Sequence, residues 1–123
     1  MIICACLLST TEDHILLVRA HGKRVWYLPG GKINPGEQPV YALCRELFEE
    51  LGVEIKPKDC SYLKTIVGPS HNLRDKVQLI CFAATLPPQM QAKAEIAEIA
   101  WIPKKFLHKM APAVRLLVTN HNS

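Results

Sequence analysis

No stretch of this chain is apolar for long enough to cross a bilayer. No histidines stand in the H-E-x-x-H spacing of a metallohydrolase helix, and no two cysteines form a CxxC pair. Each absence closes a class. A membrane-spanning helix needs about 20 apolar residues, whereas the apolar opening ends at Leu8 and lacks the basic n-region of a secretory leader. It reads as a first strand, with no membrane partner. Five cysteines, an odd number without paired spacing, suit the reducing cytoplasm better than a disulfide framework. Cys4, Cys6 and Cys81 lie in strand-like apolar runs and read as small buried residues. His14, His21, His108 and His121 offer no metal spacing, and His71 reads as loop surface. There is no basic run or arginine–aromatic ladder that argues for a long nucleic acid, and there are no repeats or low-complexity tracts.

What remains is an ordinary globular composition, 49% hydrophobic and 21% charged, in 123 residues. That is room for a single domain over residues 1–123. The net charge of +4 suits an anionic ligand but does not select one. Strands are expected at residues 2–8, 14–20, near 25–28, near 61–67, at 76–86 and at 97–102. Helices are expected at about 38–51 and 111–119. The mixed order argues for an α/β sandwich, a mixed sheet between helices.

The informative segment begins at Gly31. Pro29-Gly30-Gly31 lets backbone approach a ligand without Cβ interference. Asn34-Pro35-Gly36 reads as a turn, Pro39 suits the first turn of a helix, and Gly52 is placed to end it. Within that helix Leu43, Leu47 and Leu51 form an apolar stripe. Glu46, Glu49 and Glu50 fall within an arc of roughly 100° beside it. Like charges at this spacing cost an isolated helix a few tenths of a kcal/mol per pair, so cations between them are the natural counterpart. Oxygen ligands on a rigid element suit Mg²⁺, with Mn²⁺ as a substitute.

Gly31, Glu37, Arg45, Glu46, Leu47, Glu49, Glu50, Gly52 and Val53 together match the pattern G-x5-E-x7-R-E-U-x-E-E-x-G-U at every specified position. A chance match at one start is on the order of 10⁻¹⁰ from average residue usage. The chain therefore resembles the Nudix hydrolases, and Trp26-Tyr27-Leu28-Pro29 resembles the usual lead-in to their box. The resemblance implies the Nudix α/β/α sandwich and hydrolysis of a diphosphate linkage by water. It implies Glu46, Glu49 and Glu50 as metal ligands, with the Gly30 carbonyl as a backbone ligand. Arg45 and Glu37 are expected to pair and orient the site, with Gly31 and Gly52 as structural support. Glu46 is the first candidate for general base and Glu95, on a later loop, the second. Arg19, Arg24, Trp26, Tyr27 and Arg74 are candidates for substrate contact. Trp26 and Tyr27 alternate across a strand, so only one faces a cleft easily.

A small member of this kind resembles the MutT-like branch, which cleaves nucleoside triphosphates to monophosphate and pyrophosphate. The asparagine that reads oxidised guanine in such enzymes has no counterpart in Met110–Arg115. ADP-ribose or another nucleotide sugar is the catalytic alternative. A nucleotide-binding regulator without turnover is a third reading, against which the intact carboxylate set stands. The oligomeric state, monomer or homodimer, is open.

Overall fold

A computed structural model describes residues 1–120, and His121 lies outside them. The chain runs through β1 (Ile2–Leu7), β2 (His14–Ala20), β3 (Trp26–Tyr27), β4 (Gly30–Lys32), α1 (Pro39–Leu51), β5 (Cys60–Pro69), β6 (Lys76–Ala84), β7 (Ile96–Pro103) and α2 (Pro112–Thr119). The strands and α-helices follow the expected order with one addition. β4 holds only three residues, two of them glycine, and glycine carries little strand signal. Single-turn 3-10 helices at Pro57–Asp59 and Leu107–Lys109 also go beyond what the sequence pattern predicts.

The expected single sheet is divided. One sheet has the order β4-β1-β6-β5, in which β1 and β6 run parallel and the other pairs antiparallel. The other is antiparallel, with the order β3-β2-β7. Alternation along the strands sends side chains to two cores. Ala5, Leu7, Leu16 and Val18 face one side with Leu43, Leu47 and Leu51 of α1. Cys6, Ile15, Leu17 and Cys81 face the other with Val114 and Leu117 of α2. Helices therefore cover both faces of the sheet layer, the α/β/α arrangement read from the sequence.

α1 is bounded as its sequence dictates. Pro39 occupies the first turn, and Gly52 adopts a left-handed conformation with its N–H donating to the Phe48 carbonyl at 3.0 Å. β5 forms one edge of its sheet and carries a register shift between Tyr62 and Lys64. Tyr62, Leu63 and Val67 of that strand are exposed. No helix among the described residues is long and apolar enough to cross a membrane.

Leu47 has no exposed surface and sits at the centre of the seat of α1. Leu47→Ala should lower unfolding stability by about 2–5 kcal/mol, the range for a buried leucine whose cavity does not collapse. Urea denaturation monitored by far-UV circular dichroism would measure it.

Candidate active site

The site forms where β4 crosses the open face of α1. Glu50 is the one carboxylate among the described residues that folds inside, at 5% exposure. Its Oε1 accepts the Gly30 N–H at 3.0 Å. Gly30 holds φ +133°, and a Cβ there would drive into the carbonyl of Ala5 on the neighbouring strand, so only glycine presents its N–H this way. A Cβ on Gly31 would come within 2.6 Å of the Glu46 carboxyl. The two glycines thus let β4 lie close against two carboxylates of the helix.

A third carboxylate arrives from the loop after β6. That loop is fastened to the end of α1 by backbone: Gln91 N–H donates to the Leu51 carbonyl at 3.0 Å and Lys93 N–H to the Glu50 carbonyl at 2.9 Å. These carbonyls belong to the last turn of the helix and have no partner within it. Ala94 then takes a positive φ of 54°, and Glu95 follows. Single carboxylate oxygens of Glu46, Glu50 and Glu95 lie within 4.8 Å of one another.

Burial pushes the Glu50 carboxyl up from 4.5 to about 8, with Glu46 and Glu95 adding to the rise and the Gly30 hydrogen bond opposing it. Burial raises Glu46 as well, against the opposing pull of Arg45. The convergent carboxylate oxygens of Glu46, Glu50 and Glu95 form an acidic cluster that could hold a metal ion.

Arg45 organises the rim. Its Nε and Nη2 donate to the two Glu37 oxygens, both at 2.9 Å, and its Nη1 donates to Glu46 Oε1 at 2.9 Å. Glu37 Oε1 in turn accepts the Asn34 N–H at 3.0 Å, closing the turn ahead of the helix. Glu49 stands apart from the converging group. Its side chain is 51% exposed and lies 3.7 Å from Arg45 Nη1.

Beside Glu50 opens a cavity of about 290 Å³. Cys4, Cys6 and Leu79 line it from the sheet, Ala113 from α2, and Tyr27 and His71 from the side. Tyr27 and His71 meet edge to face with ring centroids 6.0 Å apart. Burial pushes the Cys4 and Cys6 thiols up, so both remain uncharged. Lys32 pairs with Cys4 across the ladder, and its ammonium partly offsets that rise.

The other substrate-contact candidates are dispersed. Trp26 is buried in the core against Met110, leaving Tyr27 as the member of the pair that lines the cavity. The Arg19 guanidinium is committed to Glu98 and to the Lys23 carbonyl. Arg24 is exposed outside the cavity lining. Arg74 lines a separate groove with Val67 and Leu73. Lys32 and His71 are the additions. The ladder register with Cys4 singles out Lys32, and that register belongs to a strand the sequence pattern does not announce. His71 carries no sequence signal, because its place depends on how the loop after β5 folds back to Tyr27.

The NUDIX domain family matches residues 2–119, and the chain belongs to that family. Over 50 residues, 41% of the chain, it is 42% identical to an RNA pyrophosphohydrolase of Proteus mirabilis (strain HI4320), although the match spans only 28% of that relative. The chain thus spans under a third of the length of the curated relatives it matches. Among solved structures it is similar to a MutT NUDIX hydrolase from Burkholderia pseudomallei, with a TM-score of 0.75, 19% identity and coverage of 99% and 98% of the two chains. It is also similar to the E. coli ORF135 protein, with a TM-score of 0.72, 27% identity and coverage of 97% and 86%.

The Glu37–Arg45 pair yields a pH signature. Hydrogen bonds from Arg45 hold the Glu37 carboxyl at about 2, below its ordinary 4.5. A depressed carboxyl stabilises the fold above its unfolded value and loses that contribution as pH falls through the folded one. The stability difference between wild type and Glu37→Gln should therefore be constant above about pH 5.5 and shrink steadily toward pH 2. Urea melts across that range would show it.

Proposed function

We propose that residues 1–123 form a single-domain pyrophosphohydrolase that needs a divalent cation, Mg²⁺ with Mn²⁺ as substitute. Its substrate in this reading is a nucleoside triphosphate, cleaved to monophosphate and pyrophosphate. One observation carries the proposal: three carboxylates converge within 4.8 Å at the side of a cavity that one of them, Glu50, also lines. A base-sized pocket and an ion-holding cluster share a wall, so a nucleotide seated in the first presents its phosphates to the second.

A bound divalent ion supplies Lewis-acid polarisation of water and neutralisation of phosphate charge. The chain supplies the rest. Gly30 fixes Glu50 through its N–H, and Arg45 fixes Glu46, so two ligand positions are set by hydrogen bonds before substrate arrives. Lys32 offers an ammonium to a phosphate oxygen beside the cavity. Glu95 takes the proton of the attacking water. It is the exposed member of the group, and it reaches the site from a loop rather than from α1. Glu49, outside the group, acts by balancing Arg45. No enzyme side chain needs to bond to phosphorus.

A 5′-triphosphate RNA end offers the same diphosphate linkage. The 42% identity over 50 residues to an RNA pyrophosphohydrolase makes it the second reading. The five cysteines, all unpaired, accord with a cytoplasmic place for either reaction.

Purified protein with Mg²⁺ would be offered nucleoside triphosphates, ADP-ribose and 5′-triphosphate RNA, with chelator controls and chromatographic product analysis. Pyrophosphate released from free triphosphates supports the proposal, and cleavage confined to RNA or ADP-ribose overturns it. Glu50→Gln should cut kcat by about 100-fold or more, since outer partners of metal ligands alone are worth 10–100-fold. Glu95→Gln should slow turnover by about 100-fold and flatten the acidic limb of the pH–rate profile. An unaltered limb would remove Glu95 from the role.

A further inference from the structure

The cavity beside Glu50 has a composition that selects among bases. Its volume of about 290 Å³ lies at the lower bound of ligand pockets. It admits a heterocycle, with the phosphates directed toward Glu50 and Gly31. Its floor is made by β1 and β6, adjacent parallel strands in register from Ile2 opposite Val77 to Leu7 opposite Phe82. Each of these strands has a partner on its other side as well, β4 and β5 respectively. The backbone donors and acceptors of the floor are thus drawn into ladders.

The floor side chains are Cys4, Cys6, Val77 and Leu79, with Ala113 opposite. They offer carbon, hydrogen and sulfur, and a buried cysteine behaves as a small hydrophobe. The polar side chains of the lining are Tyr27, Ser70, His71 and Glu50. Ser70 is engaged within its own loop, donating to Asn72 Oδ1 at 2.8 Å and accepting the Asp75 N–H at 3.2 Å. Tyr27 and His71 stand together at one side, edge to face. Glu50 belongs to the carboxylate end.

A base edge pressed against this floor finds no hydrogen-bond partner there. Guanine and adenine carry nitrogen or oxygen groups around the pairing edge, and each one buried without a partner weakens binding. The C5–C6 side of a pyrimidine carries none, and in thymine it adds a methyl group. We infer that this cavity takes the C5–C6 edge of a pyrimidine against the floor formed by Cys4, Cys6, Val77 and Leu79, so that the protein favours thymine-type nucleotides over purine nucleotides. The inference deepens the nucleotide-hydrolase reading and rests on it. Val77 and Leu79 are its specificity-determining residues.

The test compares kcat/KM of the whole protein with Mg²⁺ for dTTP, dUTP and dGTP. dTTP should exceed dUTP by about fourfold or more, the transfer value of a single methyl group. It should exceed dGTP by about tenfold or more, the usual penalty for an unpaired buried polar group. Val77→Thr, which places a hydroxyl on the floor at nearly unchanged volume, should draw the dTTP-to-dUTP ratio toward one. Equal rates for dTTP and dUTP, or a preference for dGTP, overturn the inference while leaving the hydrolase reading standing. If no triphosphate is cleaved, that reading fails instead. The cavity is then tested by calorimetric titration with dTMP and dUMP, which differ by the methyl group alone. At least about fourfold tighter dTMP binding supports the pocket, and equal binding or none overturns it.

Discussion

A carboxylate folded into the interior is the constraint around which this molecule is arranged. Removing an ionised carboxyl from water is costly unless hydrogen bonds and countercharge replace the solvent. Glu50 has one fixed donor, the Gly30 N–H, and two further carboxylates nearby. That donor exists only because β4 is pressed against both β1 and α1, an approach that side chains at residues 30 and 31 would prevent. The same crowding holds Glu46 in place. Two glycines that look like a plain turn are therefore as much a part of the site as the acids are.

Much of this is legible in the order of residues alone. The apolar stripe of α1, its proline start and its glycine end follow from local rules that no tertiary contact overrides here. The Glu37–Arg45 pair follows from the family pattern that the sequence matches, and Arg45 donates to both Glu37 oxygens. Helical periodicity, however, places Glu46, Glu49 and Glu50 in a common arc without saying where the sheet lies. The sheet covers the Glu50 side, which buries that residue and leaves Glu49 beside Arg45 at the solvent. Glu95 can be named from its loop, but its position depends on two backbone hydrogen bonds to the end of α1 that no sequence pattern announces. Arg19, Arg24 and Arg74 show the same limit from the other side. Arg24 and Arg74 lie in loops, where no periodic neighbour tells which groove a charge will border, and Arg19 on β2 is claimed by Glu98 across the ladder.

The division of the sheet layer matters for the site. β1 and β6 form a floor bonded on both sides, while β2 and β3 bring Tyr27 in from the other sheet. A rigid surface and an aromatic wall thus come from separate strand systems, and α2 closes over both. Pocket shape is set by packing, whereas the acids are set by one helix, one short strand and one fastened loop. The two halves can vary independently, which is how one chemical apparatus serves differing pockets on a common scaffold.

The irregularity in β5 has a bearing beyond its own sheet. A ten-residue outer strand with exposed Tyr62, Leu63 and Val67 is a template on which another chain could lay itself. The register shift between Tyr62 and Lys64 puts one residue too many into that template. A straight incoming strand would meet its donors and acceptors in step along one half and out of step along the other. The border of the sheet thus resists extension by a regular strand, and a misstep of a single residue is enough to do it.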